Sequence, residues 1–310
     1  GHERVLKARL SDATFFWSAD LKIKLESRVK LLKKIVFQEN LGTMFNKSKR
    51  IKRLSKYLLN EFTQSVDVKT VEKAAELCKT DLTTDTVKEF SGLQGLMGGL
   101  CARTQGLEPA VVSGIYDHYL PTFFGDKVPR DLTGSILSIA DKIDNVTSAF
   151  CLGLVPTGSR DPLALRRQTL GIIQILLEKN LDCSLENLLC KSFNCIGSSE
   201  VQSLSTVKSN FSGFLRERLR FVFKNKGFNY DEINSVVSIF IDNPVECHRR
   251  LNSLRNLRGS SDLKALAISF KRIQNILAKS GKEKPKDLLV ESSLLLVNEE
   301  KDLYLRINKV

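Results

Sequence analysis

The sequence is poor in the residues that build metal centres and membrane spans. Its 310 residues include only three histidines, His2, His118 and His248. No Cys-x-x-Cys pair occurs, so neither a zinc cage nor a disulfide framework is expected, and reduced thiols favour a cytoplasmic protein. No apolar run approaches the roughly 20 residues of a membrane-spanning helix. Residues 1–10 also lack the apolar core of a signal peptide.

The seven cysteines are odd in number and scattered along the chain. Cys183, Cys190 and Cys195 lie closest together, but zinc ligation favours pairs two to four residues apart, and no histidine is near them. We therefore expect free thiols.

Positive charge is what the sequence has in excess. Lysine and arginine total 48 against 35 aspartates and glutamates, which gives a net charge of +13. Residues 1–60 carry +10, residues 61–130 carry −3 and residues 131–310 carry +6. Such an excess attracts polyanions, most simply nucleic acid, although a solvated basic surface would look the same.

Apolar residues recur at intervals of three or four along nearly the whole chain, which predicts an all-α fold. Leu25, Val29 and Leu32 follow this spacing and predict a helix over residues 21–42. The most apolar pattern covers residues 131–152, and we expect that helix at the centre of the first domain.

A sharp break follows at residues 156–162, PTGSRDP, where Pro162 suits the first turn of a new helix with Asp161 as its cap. Gly92, Gly95, Gly98 and Gly99 form a second unusual run. No strand precedes this run and no Gly-Lys-Ser/Thr follows it, so it predicts close helix packing rather than a phosphate-binding loop.

Basic residues provide the best functional signal. Arg216, Arg220 and Lys224 are four apart, so they share one helix face, while Phe214 and Phe221 are expected to face the core. Arginine suits phosphate because its planar fork donates two parallel hydrogen bonds. The full set of candidate RNA-binding residues is Arg160, Arg166, Arg167, Arg216, Arg220, Lys224, Arg249, Arg250, Lys271 and Arg272.

Residues 116–144, with YDHYLPTFFGDKVP and then IADKID, resemble the later half of an HD-type phosphohydrolase domain. In that family a metal pair is held by a first histidine, a His-Asp dipeptide, further histidines and a final aspartate. His118 resembles one of the middle histidines and Asp141 the final aspartate. The dipeptide position reads Cys78-Lys79.

The first histidine of that pattern is missing too, and Asn46 and Lys47 lie in its place. A lysine ammonium has no lone pair for a metal and adds positive charge to a site meant for cations. We therefore expect HD shape without a metal or a catalytic residue. Asp141 and Asp144 are then expected to lie on a helix surface or to form salt bridges.

The order of segments over almost the whole chain resembles the beta subunit of bacterial glycyl-tRNA synthetase, the heterotetrameric type. SGLQGLMGG and PTGSRDPLALRR are the most specific of these segments. The others are GHERVLKARLSDATFFW, ENLGTMFNKSKRI, DHYLP, IADKID, FLRERLRFVF and FKRIQNIL.

The resemblance implies a piece of a subunit about twice this length. It implies an HD-like helical domain at residues 1–178, a helical connector at 179–258 and the truncated start of an anticodon-binding, DALR-like helical domain at 259–310. Glycine, ATP and magnesium would react on the alpha subunit, so no cofactor is expected here. The implied partners are tRNA(Gly) and the alpha subunit, or a fused alpha region, with neither DNA nor membrane.

Two other functions remain open on the sequence. One is an active HD-family phosphohydrolase that acts on nucleotides with a metal, which the missing dipeptide disfavours. The other is a non-enzymatic helical adaptor that binds protein rather than RNA.

Overall fold

The computed structural model describes residues 2–62, 66–156, 158, 161–197, 201–239, 242–258, 260–279, 295 and 297–307. The chain divides into two compact units, Gly1–Arg255 and Asn256–Val310. The fold is all-α, as predicted from the spacing of apolar residues.

Helices of the first unit account for most of its length. They are α1 (His2–Asp20), α2 (Leu25–Arg28), α3 (Met44–Glu61), α4 (Val68–Leu77), α5 (Asp85–Glu89), α6 (Leu96–Thr104), α7 (Pro109–Asp117), α8 (Leu132–Cys151), α9 (Leu165–Lys179), α10 (Leu185–Ile196), α11 (Leu204–Asn225), α12 (Tyr230–Val237) and α13 (Pro244–Leu257). Short 3₁₀ helices occupy Val29–Lys34, Glu39–Leu41, Thr80–Thr83 and Ser91–Leu93.

The prediction of a helix over residues 21–42 is wrong. Only α2 is α-helical there, and the chain continues through 3₁₀ turns into strands β1 (Val36–Gln38) and β2 (Gly42–Thr43), which pair antiparallel. The backbone N–H of Met44 donates to the carbonyl of Ile35 at 2.8 Å and closes this hairpin against the start of α3. Tertiary packing therefore overrides a local helical pattern.

Helix α8 lies at the centre of the first unit, as predicted. Its N-cap is Asp131, whose carboxylate accepts from the Gly134 N–H at 2.8 Å. Ile136, Ile139 and Ile143 are fully buried along it. Helices α3, α4, α7, α9, α10 and α11 all pack against it. Each buried isoleucine stabilises the fold by about 1.5–3 kcal/mol relative to an exposed one.

The glycine run brings α6 close to α7, as the spacing predicts. A Cβ atom on Gly99 would lie 2.7 Å from the ring of Tyr116 and 3.1 Å from its Cα. A Cβ on Gly98 would lie 3.0 Å from Ile115. Gly98 and Gly99 therefore serve close helix packing, whereas a Cβ on Gly92 would meet nothing within 4 Å.

Helix α9 begins three residues later than Pro162, the predicted first position. Ala164 precedes it in the left-handed region, with φ of 54°. Ala164 is therefore the N-cap in place of Asp161. The Asp161 carboxylate still accepts from the N–H groups of Leu165 at 2.8 Å and Arg166 at 2.9 Å, which fixes the backbone of Arg166 at the first turn of α9.

The second unit contains α14 (Ser261–Lys279) and α15 (Asn298–Ile307). Phe270, Ile273 and Ile276 on α14 are exposed. The assignment of this region to an anticodon-binding domain and the domain boundaries at 178/179 and 258/259 stay predictions.

Candidate functional site: a closed ion cluster and a basic groove

A buried lysine occupies the position where the HD pattern expects a metal-binding dipeptide. The Nζ atom of Lys79 lies 2.7 Å from Oδ2 of Asp141 and 3.0 Å from Nε2 of His118. Lys79 follows the end of α4, His118 follows the end of α7, and Asp141 lies in the middle of α8. The three side chains are therefore brought together by packing of α4 and α7 on the central helix.

A second lysine completes the cluster. Nζ of Lys47, on α3, lies 2.9 Å from Oδ1 of Asp141 and 3.0 Å from Oδ2 of Asp144. It also donates to Oδ1 of Asn145 at 2.7 Å. Arg50, one turn further along α3, donates from Nε to Asp144 at 2.6 Å. Each aspartate is thus shared between two cations.

The protonation of His118 follows from its partners. Lysine ammonium can only donate, so Nε2 accepts from Lys79 and the Nδ1–H donates to the carbonyl of Ile115 at 2.6 Å. Burial, with the nearby charge of Lys79, lowers the pKa of His118 well below its ordinary value. The imidazole is therefore neutral.

Asp141 is ionised despite its burial. Burial would raise the pKa of this carboxyl, but the ammonium groups of Lys47 and Lys79 lower it well below the ordinary value. The charges of the two ammonium groups, together with the hydrogen bond from Lys79 to Oδ2 of Asp141, account for this shift.

The residues present do not fit a metal pair. Two ammonium groups lie against the carboxylate of Asp141, which corresponds to the final aspartate of the HD pattern, and neither can ligate a cation. Among the described residues, no group of three or more histidine, cysteine, aspartate or glutamate side chains could hold a metal ion. Asp141 and Asp144 are buried and salt-bridged. The salt-bridge expectation for them is confirmed, and the helix-surface alternative is wrong.

Lys142, the neighbour of Asp141 on α8, is buried in a different way. Its Nζ donates to the carbonyls of Tyr119 and Leu120, both at 3.0 Å, and to Ser138 Oγ at 2.7 Å. Burial lowers its pKa to about 7. These bonds tie the loop after α7 to the central helix.

A groove of about 750 Å³ opens between α9, α11 and α12. Arg166, Arg220 and Lys224, three of the predicted RNA-binding residues, line it together. The remaining lining residues are Leu170, Glu217, Arg218, Phe221, Phe228, Asn229, Tyr230 and Ile233. We call this feature, defined by the lining residues just named, the α11 groove. Basic residues that are distant in sequence form one surface there.

Arg218 is a lining residue that the sequence reasoning missed. Its guanidinium lies 3.9 Å from the centroid of the Phe214 ring, and its Nη1 donates to the Phe214 carbonyl at 2.8 Å. Partial burial, with the nearby charge of Arg166, lowers its pKa. The four-residue spacing from Phe214 is the signal in the sequence that could have indicated this packing.

The aromatic side chains of Phe221, Phe228 and Tyr230 line the α11 groove, a placement that the sequence did not predict. Phe214 is buried as predicted, but the prediction for Phe221 is wrong, because 45% of that residue is exposed. Phe221 meets Phe124 edge to face at a centroid distance of 5.0 Å. Tyr230, at the start of α12, is 80% exposed.

The other candidate basic residues lie elsewhere. Arg167 lines a separate cleft of about 730 Å³ together with Asp141 and Lys142. Arg216 is on α11 but does not line the α11 groove. Arg160 lies outside the described residues.

The arginines of α13 have acidic partners. Arg249 donates to Asp182 at 2.8 Å, and Arg250 donates to Glu246 at 2.7 Å. Lys271 and Arg272 are exposed on α14, in the second unit.

All seven cysteines are free thiols, as expected. Burial raises the pKa of Cys183 to about 12, which makes a reactive thiolate unfavourable there. No helix in the described part of the chain has the length and apolar character needed to cross a bilayer.

Fold and site together define a helical protein with a closed ion cluster and a basic, aromatic-lined groove. A family model described as "Glycyl-tRNA synthetase beta subunit" matches residues 1–238. The chain belongs to this family, which confirms the resemblance seen in the sequence.

Curated relatives named glycine–tRNA ligase beta subunit agree with this assignment. The relative from Geobacter sp. (strain M21) is 42% identical over 285 residues, which is 92% of this chain and 41% of the relative. The relative from Syntrophotalea carbinolica is 40% identical over 304 residues, 98% of this chain and 43% of the relative. The chain therefore spans about two fifths of the length of these relatives.

Proposed function

We propose that this chain is a tRNA-binding part of the beta subunit of glycine–tRNA ligase and positions tRNA(Gly) for glycylation on the alpha subunit. The observation that carries the proposal is the α11 groove, where Arg166, Arg218, Arg220 and Lys224 converge from two helices. Membership of the family supplies the partner, because the relatives are named for a ligase that acts on tRNA.

The role of each part follows from its chemistry. Arginine side chains bind backbone phosphates and thereby orient the RNA without reading its sequence. The ion cluster of Lys47, Lys79 and Asp141 holds α3, α4 and α8 in fixed relation without a metal ion. A rigid scaffold matters, since a misplacement of about 1 Å at a reacting group can cost roughly 100-fold in rate.

Chemistry is assigned to the rest of the enzyme. In this proposal ATP, magnesium and glycine bind to the alpha subunit, or to an alpha region fused to the beta chain, and the complex works in the cytoplasm. We expect this chain alone to catalyse no glycine-dependent exchange between ATP and pyrophosphate.

The proposal is tested by the salt dependence of tRNA(Gly) binding to the chain. We expect the logarithm of the association constant to fall linearly with the logarithm of salt concentration, because each neutralised phosphate releases counterions. An acidic helical protein of similar size is the control. Absence of binding at low salt, or binding that does not respond to salt, would contradict the proposal.

A further inference from the structure

The α11 groove is lined by cationic and by aromatic side chains, and phosphate binding accounts only for the cationic ones. Cationic side chains come from Arg166 on α9 and from Arg218, Arg220 and Lys224 on α11. Tyr230, at the start of α12, also lines the groove, and its ring is exposed. The ring of Tyr230 offers a flat π-face, which plays no part in binding a phosphate.

The size of the groove restricts what can enter it. About 750 Å³ lies within the range of roughly 300–1,000 Å³ that small-ligand pockets occupy, so one or two nucleotides fit. An RNA duplex presents its phosphates outside and keeps its bases stacked within, and so brings no base face to the tyrosine. An unpaired nucleotide brings both a phosphate and a free base.

We infer that the α11 groove binds an unpaired nucleotide of the bound RNA, with the base stacked on Tyr230 and the flanking phosphates held by Arg218, Arg220 and Lys224. The inference rests on the proposed function, since it names the kind of RNA element that the groove accepts. Stacking of bases on aromatic side chains beside a cationic track is the general mode of single-strand binding.

Two features of the groove support this assignment beyond its charge. Arg218 is packed on the Phe214 ring and bonded to the Phe214 carbonyl, so its position is fixed before RNA arrives. Arg220 donates to Glu217 at 2.7 Å. Arg220 exchanges this carboxylate for a phosphate when the RNA binds, and the exposed ring of Tyr230 favours an unpaired base over an acidic protein partner.

The test measures dissociation constants of the 310-residue chain for three RNAs and one peptide by fluorescence anisotropy. The probes are tRNA(Gly), an eight-nucleotide single-stranded RNA, an eight-base-pair duplex and an acidic peptide. Tyr230→Ala removes the stacking face from a residue that is 80% exposed, so folding is unaffected, and Tyr230→Phe keeps the ring.

We expect Tyr230→Ala to weaken binding of the single strand roughly 5- to 150-fold, the range for loss of one stacked base. Tyr230→Phe should bind like wild type, the duplex should be insensitive to Tyr230→Ala, and the salt slope should not change. Unchanged single-strand binding by Tyr230→Ala alongside intact tRNA binding overturns this inference alone. Loss of all RNA binding by the wild-type chain overturns the proposed function as well. Tighter binding of an acidic peptide than of the single strand assigns the groove to protein instead.

Discussion

The ammonium group of Lys79 lies 2.7 Å from the carboxylate of Asp141, inside a cluster that the HD pattern would use for metal ions. Both side chains are almost fully buried. The ammonium group of Lys79 thus neutralises the Asp141 carboxylate, as a bound cation would. The cluster is therefore held together without a metal ion, and its salt bridges affect the stability of the fold.

Lys79→Met removes the central cation of the cluster. Asp141 then keeps its ion pair with Lys47, and Nε2 of His118 loses its donor. Breaking a buried ion pair by removing one partner costs about 3–5 kcal/mol, and we expect a loss of that size in the free energy of unfolding, measured with urea.

A surface ion pair provides the matched control. Lys88 lies 2.9 Å from Asp85, with side chains 60% and 57% exposed, so Lys88→Met should cost about 0–1 kcal/mol. Equal losses for the two variants would show that the buried cluster does not stabilise the fold.

Asp141 makes stability depend on acid pH. The unfolded chain binds a proton at this carboxyl near pH 4, whereas the folded chain holds its pKa well below that value. Its stabilisation is therefore present above about pH 4 and is lost as the pH falls below it.

Asp141→Asn removes this dependence. We expect the variant to be less stable than wild type at pH 7 and to lose less stability between pH 5 and pH 3, as followed by urea unfolding at each pH. Asp85→Asn, at an exposed carboxylate, should track wild type. An acid profile of Asp141→Asn parallel to wild type would contradict the ionised cluster.

Lys142 makes the stability of the fold depend on alkaline pH. Its folded pKa is about 7, below the ordinary value of 10.5, so at alkaline pH the unfolded chain holds the proton and the folded chain does not. Stability should then rise with pH above 7, by at most about 1.4 kcal/mol per pH unit. Lys142→Met should lack this rise in unfolding experiments from pH 7 to pH 10, and an identical rise in the variant would rule out Lys142 as its source.

The basic face of α11 is tested by alanine substitution of Arg216, Arg220 and Lys224 together. We expect weaker tRNA(Gly) binding and a salt slope flatter by about one for each lost phosphate contact. Of these three residues, Arg220 and Lys224 line the α11 groove and Arg216 does not. Among the three single alanine variants, Arg216→Ala should therefore weaken binding least.

Three lysines in the acidic segment of the chain serve as the control for that triple variant. Lys69→Ala, Lys73→Ala and Lys88→Ala remove the same charge from residues 61–130, which carry −3. Both triple variants weakening tRNA binding equally would mean that net charge, not the groove, determines affinity.

The sequence predicts α8 well because its signals are local. Asp131 is a capping residue, and the isoleucines that follow it repeat with helical spacing, so both the start and the buried face could be read directly. The sequence likewise shows a lysine where the HD pattern expects a ligand, and the structure places the ammonium group of Lys79 against Asp141.

Features that depend on tertiary contacts could not be predicted from spacing. The segment over residues 21–42 has a helical pattern, yet it forms short helical turns and strand β1, which pairs with β2 and packs against α3. Arg166 and Arg218 lie far apart in sequence and meet only because α9 packs beside α11. The α11 groove therefore appears only in the folded chain.

Ultraviolet crosslinking of tRNA(Gly) to the chain, with the crosslinked peptides mapped by mass spectrometry, would locate the RNA directly. We expect crosslinks in residues 165–237, which carry α9, α11 and α12, with Tyr230 among the modified positions. Crosslinks confined to α1–α8, with none in residues 165–237, would contradict RNA binding at the α11 groove.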